Sequence, residues 1–141
     1  MISVVYYLAD TGEITLSGSV QTMELATYLA NSRNESVLQV NDALATPNTH
    51  YVSHQELWLK PLQPSLAHVF NYSTKQWELS TELAWQQVRN QRDNLLVKSD
   101  WTQLPDVPLV TKEAWSIYRQ ALRDVTLQTD PSNIIWPIKP S

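Results

Sequence analysis

Residues 84–125, AWQQVRNQRDNLLVKSDWTQLPDVPLVTKEAWSIYRQALRDV, decide the fold class. Trp85, Val88, Leu95 and Leu96 recur at the spacing of one helical face. Ser80 stands upstream as a cap, so the pattern predicts a helix from Ser80 through about Val97. Ala114, Trp115, Tyr118, Leu122 and Val125 form a second stripe, with Thr111 as the expected cap of a helix running to about Val125. Two amphipathic helices in succession pack as a hairpin. The connection between them, Lys98 to Val110, is thirteen residues long, more than most helix-to-helix links. Ser99 or Asp100 is expected to cap a turn through Trp101, Thr102 and Gln103. Pro105 and Pro108 stiffen the rest of the connection, and Trp101 supplies a large apolar anchor, which predicts an ordered loop. The tail from Asn133 to Pro140 carries Pro137 and Pro140 and is expected to be extended, pinned by Trp136.

Toward the N-terminus the period changes from helical to alternating. Ser3 to Ala9 and Ile14 to Val20 read as strands around Asp10-Thr11-Gly12-Glu13, where Gly12 takes the left-handed position of a hairpin loop. Thr22 caps a short helix to Asn31 whose apolar positions are Met23, Ala26, Leu29 and Ala30. Ser36 to Val40 resumes a strand, Asn41 to Asn48 is a polar turn containing Pro47, and THYVSHQELWLK reads as two short strands folded at Ser53 to Gln55. Pro61 and Pro64 mark Leu62 and Gln63 as a linker. Ala67 to Tyr72 and Gln76 to Leu79 form another hairpin over Ser73-Thr74-Lys75. The class is therefore α+β: a small β-rich module with one helix over residues 1–79, then a helical hairpin domain over 80–141.

A chain of 141 residues is long enough to bury a core without staples. There is no cysteine, which removes disulfides, thiol catalysis and cysteine zinc sites. Met1 to Ala9 lacks the basic start, long apolar centre and cleavage site of a signal peptide, and no stretch is long and apolar enough for a membrane span. A soluble, cytosolic protein without membrane partners is expected. Net charge is −4. Residues 1–79 hold seven acidic and three basic side chains, and residues 80–141 hold seven of each. Neither half has the basic excess that phosphate contacts demand, which argues against nucleic acid. Arg89 with Arg92, and Arg119 with Arg123, pair on helix faces beside Asp93 and Asp124, and read as solvated mixed-charge faces.

No constellation for catalysis emerges. His50 and His54 sit within a strand pattern, about 13 Å apart at about 3.3 Å per residue, too far to share a metal ion. His68 is isolated among strand residues. Asp100 and Asp106 flank turns and read as structural hydrogen-bonding groups rather than an acid and base pair. Gly12 and Gly18 are the sole glycines, so no phosphate-cradling loop exists. No metal, cofactor or enzymatic activity is expected.

Four segments in order carry a resemblance: Arg92-Asp93-Asn94-Leu95-Leu96; Ser99 to Asp106 with Pro108-Leu109; Trp115 to Asp124; and Trp136-Pro137-Ile138-Lys139-Pro140. Over about residues 80–141 they resemble the phage tail assembly chaperone family. The first half is similar in style to small tail fibre assembly proteins, in its Val-Tyr-Tyr strand, its turn at Asp10 to Ile14 and Tyr51-Val52. The glycine of that style after Tyr51-Val52 is absent, with Ser53 and His54 in its place. The resemblance implies a non-enzymatic protein of the host cytoplasm that binds a phage tail, baseplate or tail fibre protein, with homo-oligomerisation open. A structural component retained in the tail is the alternative it leaves. Trp101, Pro105, Asp106, Trp115, Tyr118, Arg119, Trp136 and Pro137 are the candidate partner-binding residues, since aromatics anchor interfaces as well as cores.

Overall fold

The computed structural model describes residues 1–41 and 44–141. The described residues form small antiparallel sheets toward the N-terminus and helices toward the C-terminus, an α+β protein. Two compact units divide the chain: residues 1–64 with 70–78, and residues 65–69 with 79–141.

In the first unit, β1 (Ile2–Tyr7), β2 (Ile14–Val20) and β3 (Ser36–Val40) make an antiparallel sheet in the order β2-β1-β3. Alternation along β1 sends its side chains to two faces. Val4 and Tyr6 pack with Ala26 and Ala30 of the helix α1 (Met23–Ser32). Val5 packs on the other side with Ile14, Val40, Ala45 and Val52. A bulge between Tyr6 and Tyr7 shifts the register, so that Tyr6 faces Leu16 and Tyr7 faces Ile14. The extra residue, Thr15, ties its hydroxyl back to the Tyr6 carbonyl at 3.2 Å. The expected strands and the Thr22 cap, which accepts from the Leu25 amide at 3.3 Å, are present. Leu29 differs from expectation: it lies at the edge of the helix contact, 36% exposed.

Gly12 has φ +78° in the β1–β2 turn, as expected there. It is also required by a neighbour: its carbonyl accepts from the Val52 amide at 2.8 Å, and a Cβ at Gly12 would stand 1.8 Å from the Val52 carbonyl oxygen. Val52 belongs to the hairpin β4 (His50–Ser53) and β5 (Glu56–Leu59). Its two-residue turn contains no glycine; His54 and Gln55 themselves adopt φ +51° and +61°. That conformation is disfavoured for residues with a Cβ, and the cross-strand pairs from His50–Leu59 to Ser53–Glu56 hold it. The expected polar turn at 41–48 includes residues 42 and 43, which lie outside the described residues.

The hairpin β6 (His68–Asn71) and β7 (Gln76–Leu79) brings Phe70, Tyr72 and Trp77 together. Lys60 points into this cluster. Its ammonium lies 4.8, 4.9 and 5.7 Å from the three ring centres and donates to the Pro47 carbonyl at 2.7 Å and the Tyr72 hydroxyl at 2.9 Å. A buried cation needs such partners, and aromatic faces supply part of the solvation that water would otherwise give.

In the second unit, α2 (Thr81–Lys98) starts where expected, with the Ser80 hydroxyl accepting from the Leu83 amide at 3.3 Å. α3 (Leu109–Asp124) begins two residues before the expected Thr111 cap. Pro108, with φ −53°, sits at its N-cap, and the Pro108 carbonyl takes the Lys112 amide at 3.0 Å. Proline is pre-set for a helix start and lacks the amide that would go unpaired there, so no side-chain cap is needed. Trp115, Tyr118 and Leu122 form the core with Leu95, Leu96 and Trp136. Ala114, expected on that stripe, is exposed, and Trp85, Leu95 and Leu96 are half-buried.

Candidate functional site

Where α2 ends, the chain tightens into a 3₁₀ turn, Asp100–Gln103. Neither Ser99 nor Asp100 caps it through a side chain as expected. The Ser99 hydroxyl instead turns back to the Leu96 carbonyl at 2.8 Å, and the buried Thr102 hydroxyl donates to the Ser99 carbonyl at 2.6 Å. The thirteen-residue connection thus contains only six residues, Ser99 and Leu104 to Pro108, outside regular structure.

Arg119 of α3 locks this corner. Its Nη1 donates to the Leu96 carbonyl and to the Ser99 hydroxyl, both at 2.7 Å, while Nη2 pairs with Asp100 at 2.8 Å. The first expectation for Arg119, a solvated face shared with Arg123, is corrected: only 12% of its side chain is exposed. A planar guanidinium with several fixed donors meets carbonyl, hydroxyl and carboxylate at once, and its charge suits a helix C-terminus. Arg92 does pair with its neighbour Asp93, at 2.7 Å on the surface.

Trp115 and Tyr118, both 6% exposed, are core residues and present almost no surface to a partner. Trp101 does present one. It stacks edge-on against Trp115 with ring centres 5.7 Å apart, yet remains 53% exposed, and Leu104, Pro105 and Asp106 beside it in sequence are exposed as well.

After α3 a 3₁₀ turn, Val125–Leu127, leads into the tail. Gln128 holds it as a strand would: its side-chain amide donates to the Ile135 carbonyl at 3.0 Å and accepts the Ile135 amide at 2.9 Å. Trp136 and Pro137 are half-buried, and the Lys139 ammonium lies 5.6 Å from the Trp115 ring centre. Between Gln128 and Ile135 the chain turns on Asp130, which accepts from the Ser132 amide at 2.9 Å and the Asn133 side chain at 2.6 Å. These bonds, that from Asn133 foremost, hold the Asp130 carboxyl below its usual range because they favour its charged form.

The turn and tail form one wall of a groove of about 590 Å³. Gln87, Val88 and Gln91 of α2 form another, and Ser65 and His68 also line it. Asn133 and Trp136 line the tail side. Sequence patterns did not single out Gln87, Gln91 and Asn133; Gln87 and Gln91 stand four residues apart on one face of α2, a spacing visible beforehand but without apolar contrast to mark it. Amide donors and acceptors beside one Trp face suit an uncharged extended polypeptide better than an ion. Among the described residues no group of three potential metal ligands clusters, and no helix is long and apolar enough to cross a membrane.

Most of this groove's lining and all of the Trp101 corner fall within a stretch that matches a known sequence family. Residues 85–141 match the phage tail assembly chaperone protein family. The chaperone-family segment begins inside α2, runs through α3 and the tail, and covers less than half of the 141 residues. It supplies Gln87, Gln91, Asn133 and Trp136 of the groove and all of the Trp101 corner, and it supports a role in phage tail assembly. Comparison with curated proteins and with solved structures found no match for the chain.

Proposed function

We propose that the protein is a non-enzymatic assembly factor that binds a phage tail or tail fibre protein in the cytoplasm of the host and assists its folding or incorporation. The observation that carries this reading is that the chaperone-family segment supplies most of the groove lined by Trp136 and all of the exposed surface of Trp101, Pro105 and Asp106. Trp115, Tyr118 and Arg119 act from within by fixing the corner on which Trp101 sits. Pro137 keeps the segment after Trp136 extended. The β-rich part of the chain, residues 1–79, adapts this helical end to a particular tail component.

Co-expression with the tail or tail fibre protein encoded beside it tests the reading. The partner is expected to be soluble and correctly assembled only when the chain is present, and Trp101→Ala is expected to weaken the complex while leaving the fold intact. Unchanged solubility and assembly of the partner in the absence of the chain would overturn the proposal. Mass spectrometry of purified particles then distinguishes a departing chaperone from a component kept in the tail.

A further inference from the structure

Besides its core face, α3 carries a second apolar stripe, exposed at Val110, Ala114 and Ile117 and half-buried at Ala121. Val110, Ala114, Ile117 and Ala121 succeed one another at intervals of four, three and four residues, so they align along one side of the helix. Val110 is 80% and Ile117 73% exposed. At about 100° per residue this stripe is turned about 100° from the face of Trp115, Tyr118 and Leu122. Large and small residues alternate along it. The two alanines leave recesses between the Val110 and Ile117 knobs, at the spacing a second helix fills.

The stripe has an edge of one sign. Glu113, Gln120 and Asp124 border it on the side away from the core. The basic residues of α3, Lys112, Arg119 and Arg123, fall on the far side of the helix, and Arg119 is bound to Asp100. Gln120 donates to Asp124 at 3.0 Å, which leaves that edge without a cation of its own helix.

We propose that this stripe seats an amphipathic helix of a partner protein, with an apolar seam on Val110, Ala114, Ile117 and Ala121 and lysine or arginine along the edge that meets Glu113 and Asp124. The inference rests on the binding role proposed above and names the kind of segment that role engages. A strand is a poorer fit, because its side chains on one face recur about every 7 Å, whereas this stripe repeats about every 4.5 to 6 Å. A second copy is disfavoured by charge, since it would bring the same acidic edge.

The test uses the full chain and two synthetic helical peptides of three heptads, identical in their leucine and alanine seam, one flanked by lysine and the other by glutamate. Fluorescence anisotropy is expected to show the lysine peptide binding at least tenfold more tightly, with an affinity that falls as salt rises. Ile117→Glu is expected to weaken it tenfold or more. Glu113→Lys combined with Asp124→Lys, both on the surface, is expected to invert the preference. Equal binding of the two peptides, or a preference that survives the charge exchange, overturns the proposal. So does self-association of the wild-type chain in sedimentation that Ile117→Glu abolishes. If Ile117→Glu still assembles normally with the tail protein in co-expression, this seat fails while the assembly role stands. If the wild-type chain forms no such complex, the assembly role itself fails.

Discussion

Replacing Arg119 by alanine is expected to destabilise the helical unit by about 2 to 4 kcal/mol. Two bonds from a charged donor are lost, to the Leu96 carbonyl and the Ser99 hydroxyl, each worth about 1.5 to 3 kcal/mol when unshared. They are shared here. The Leu96 carbonyl also accepts the Ser99 amide at 3.0 Å and the Ser99 hydroxyl at 2.8 Å, so it is not orphaned and the loss falls below the full sum. The pair with Asp100 adds less than about 1 kcal/mol, because the Asp100 side chain is 63% exposed and water screens it. Arg119→Lys keeps the charge near the end of α2 but cannot reach all three acceptors in one plane, and should cost about 1 to 2 kcal/mol. Asp100→Asn should cost under about 1 kcal/mol. Hydrogen exchange of the Ser99 and Thr102 amides reads this corner directly, and urea titration gives the magnitudes. An alanine variant within about 0.5 kcal/mol of wild type, or an Asp100→Asn variant as unstable as Arg119→Ala, would refute the account of Arg119 as an internal lock.

Gly12→Ala should cost about 3 to 5 kcal/mol, since left-handed strain adds to a displaced Val52 carbonyl and a weakened Val52-to-Gly12 bond, whereas Gly18→Ala, with open space around it, should be neutral or stabilising by up to about 1 kcal/mol. Urea midpoints of the two variants check the contrast. Burial holds Lys60 below the ordinary lysine range despite the attraction of Glu13. Across the window from that lowered value up to about 10.4, the unfolded chain binds more protons, so the contribution of Lys60 to stability rises with pH. Burial also raises Tyr72, whose contribution is complete below about pH 10 and is lost as pH climbs to its folded value. Wild type should therefore gain on Lys60→Met through the lysine window in denaturation measured against pH. Trp115→Ala should cost about 3 to 5 kcal/mol and Trp101→Ala under about 1.5 kcal/mol, because only the former empties a closed core; thermal melts of the two variants separate them.

Much of the fold is written in local patterns. Alternation around Gly12, the hydroxyls of Thr22 and Ser80, and the Trp115, Tyr118 and Leu122 stripe each act over a few residues, and such short-range physics can be read without coordinates. The start of α3 escaped because a proline can open a helix with no polar cap, and Thr111 offered a more familiar signal one turn too late. The glycine-free turn at His54 and Gln55 depends on the pairing of the strands it joins. Lys60 depends on Pro47, Phe70, Tyr72 and Trp77 converging from distant positions, and nothing local announces it. The candidate site divides in the same way: the aromatics stood out, but which of them faces solvent was decided by packing. Arg119 looked like a surface charge because its acceptors, the Leu96 carbonyl, the Ser99 hydroxyl and the Asp100 carboxylate, lie about twenty residues away at the end of α2 and the turn after it.

The two compact units are interleaved along the chain, residues 65–69 going with the helices and residues 70–78 with the sheets. A polypeptide leaves the ribosome in order, so the β-rich unit cannot close until β7 has emerged and Lys75 can reach the Thr11 carbonyl, 64 positions upstream. By then Ser65 to Val69 are already out and waiting for α2. Neither unit can be released whole by cutting one peptide bond. A fragment beginning at Ser80 would lose Ser65 and His68 from the groove and Ala67, whose carbonyl accepts the Ser80 amide at the root of α2.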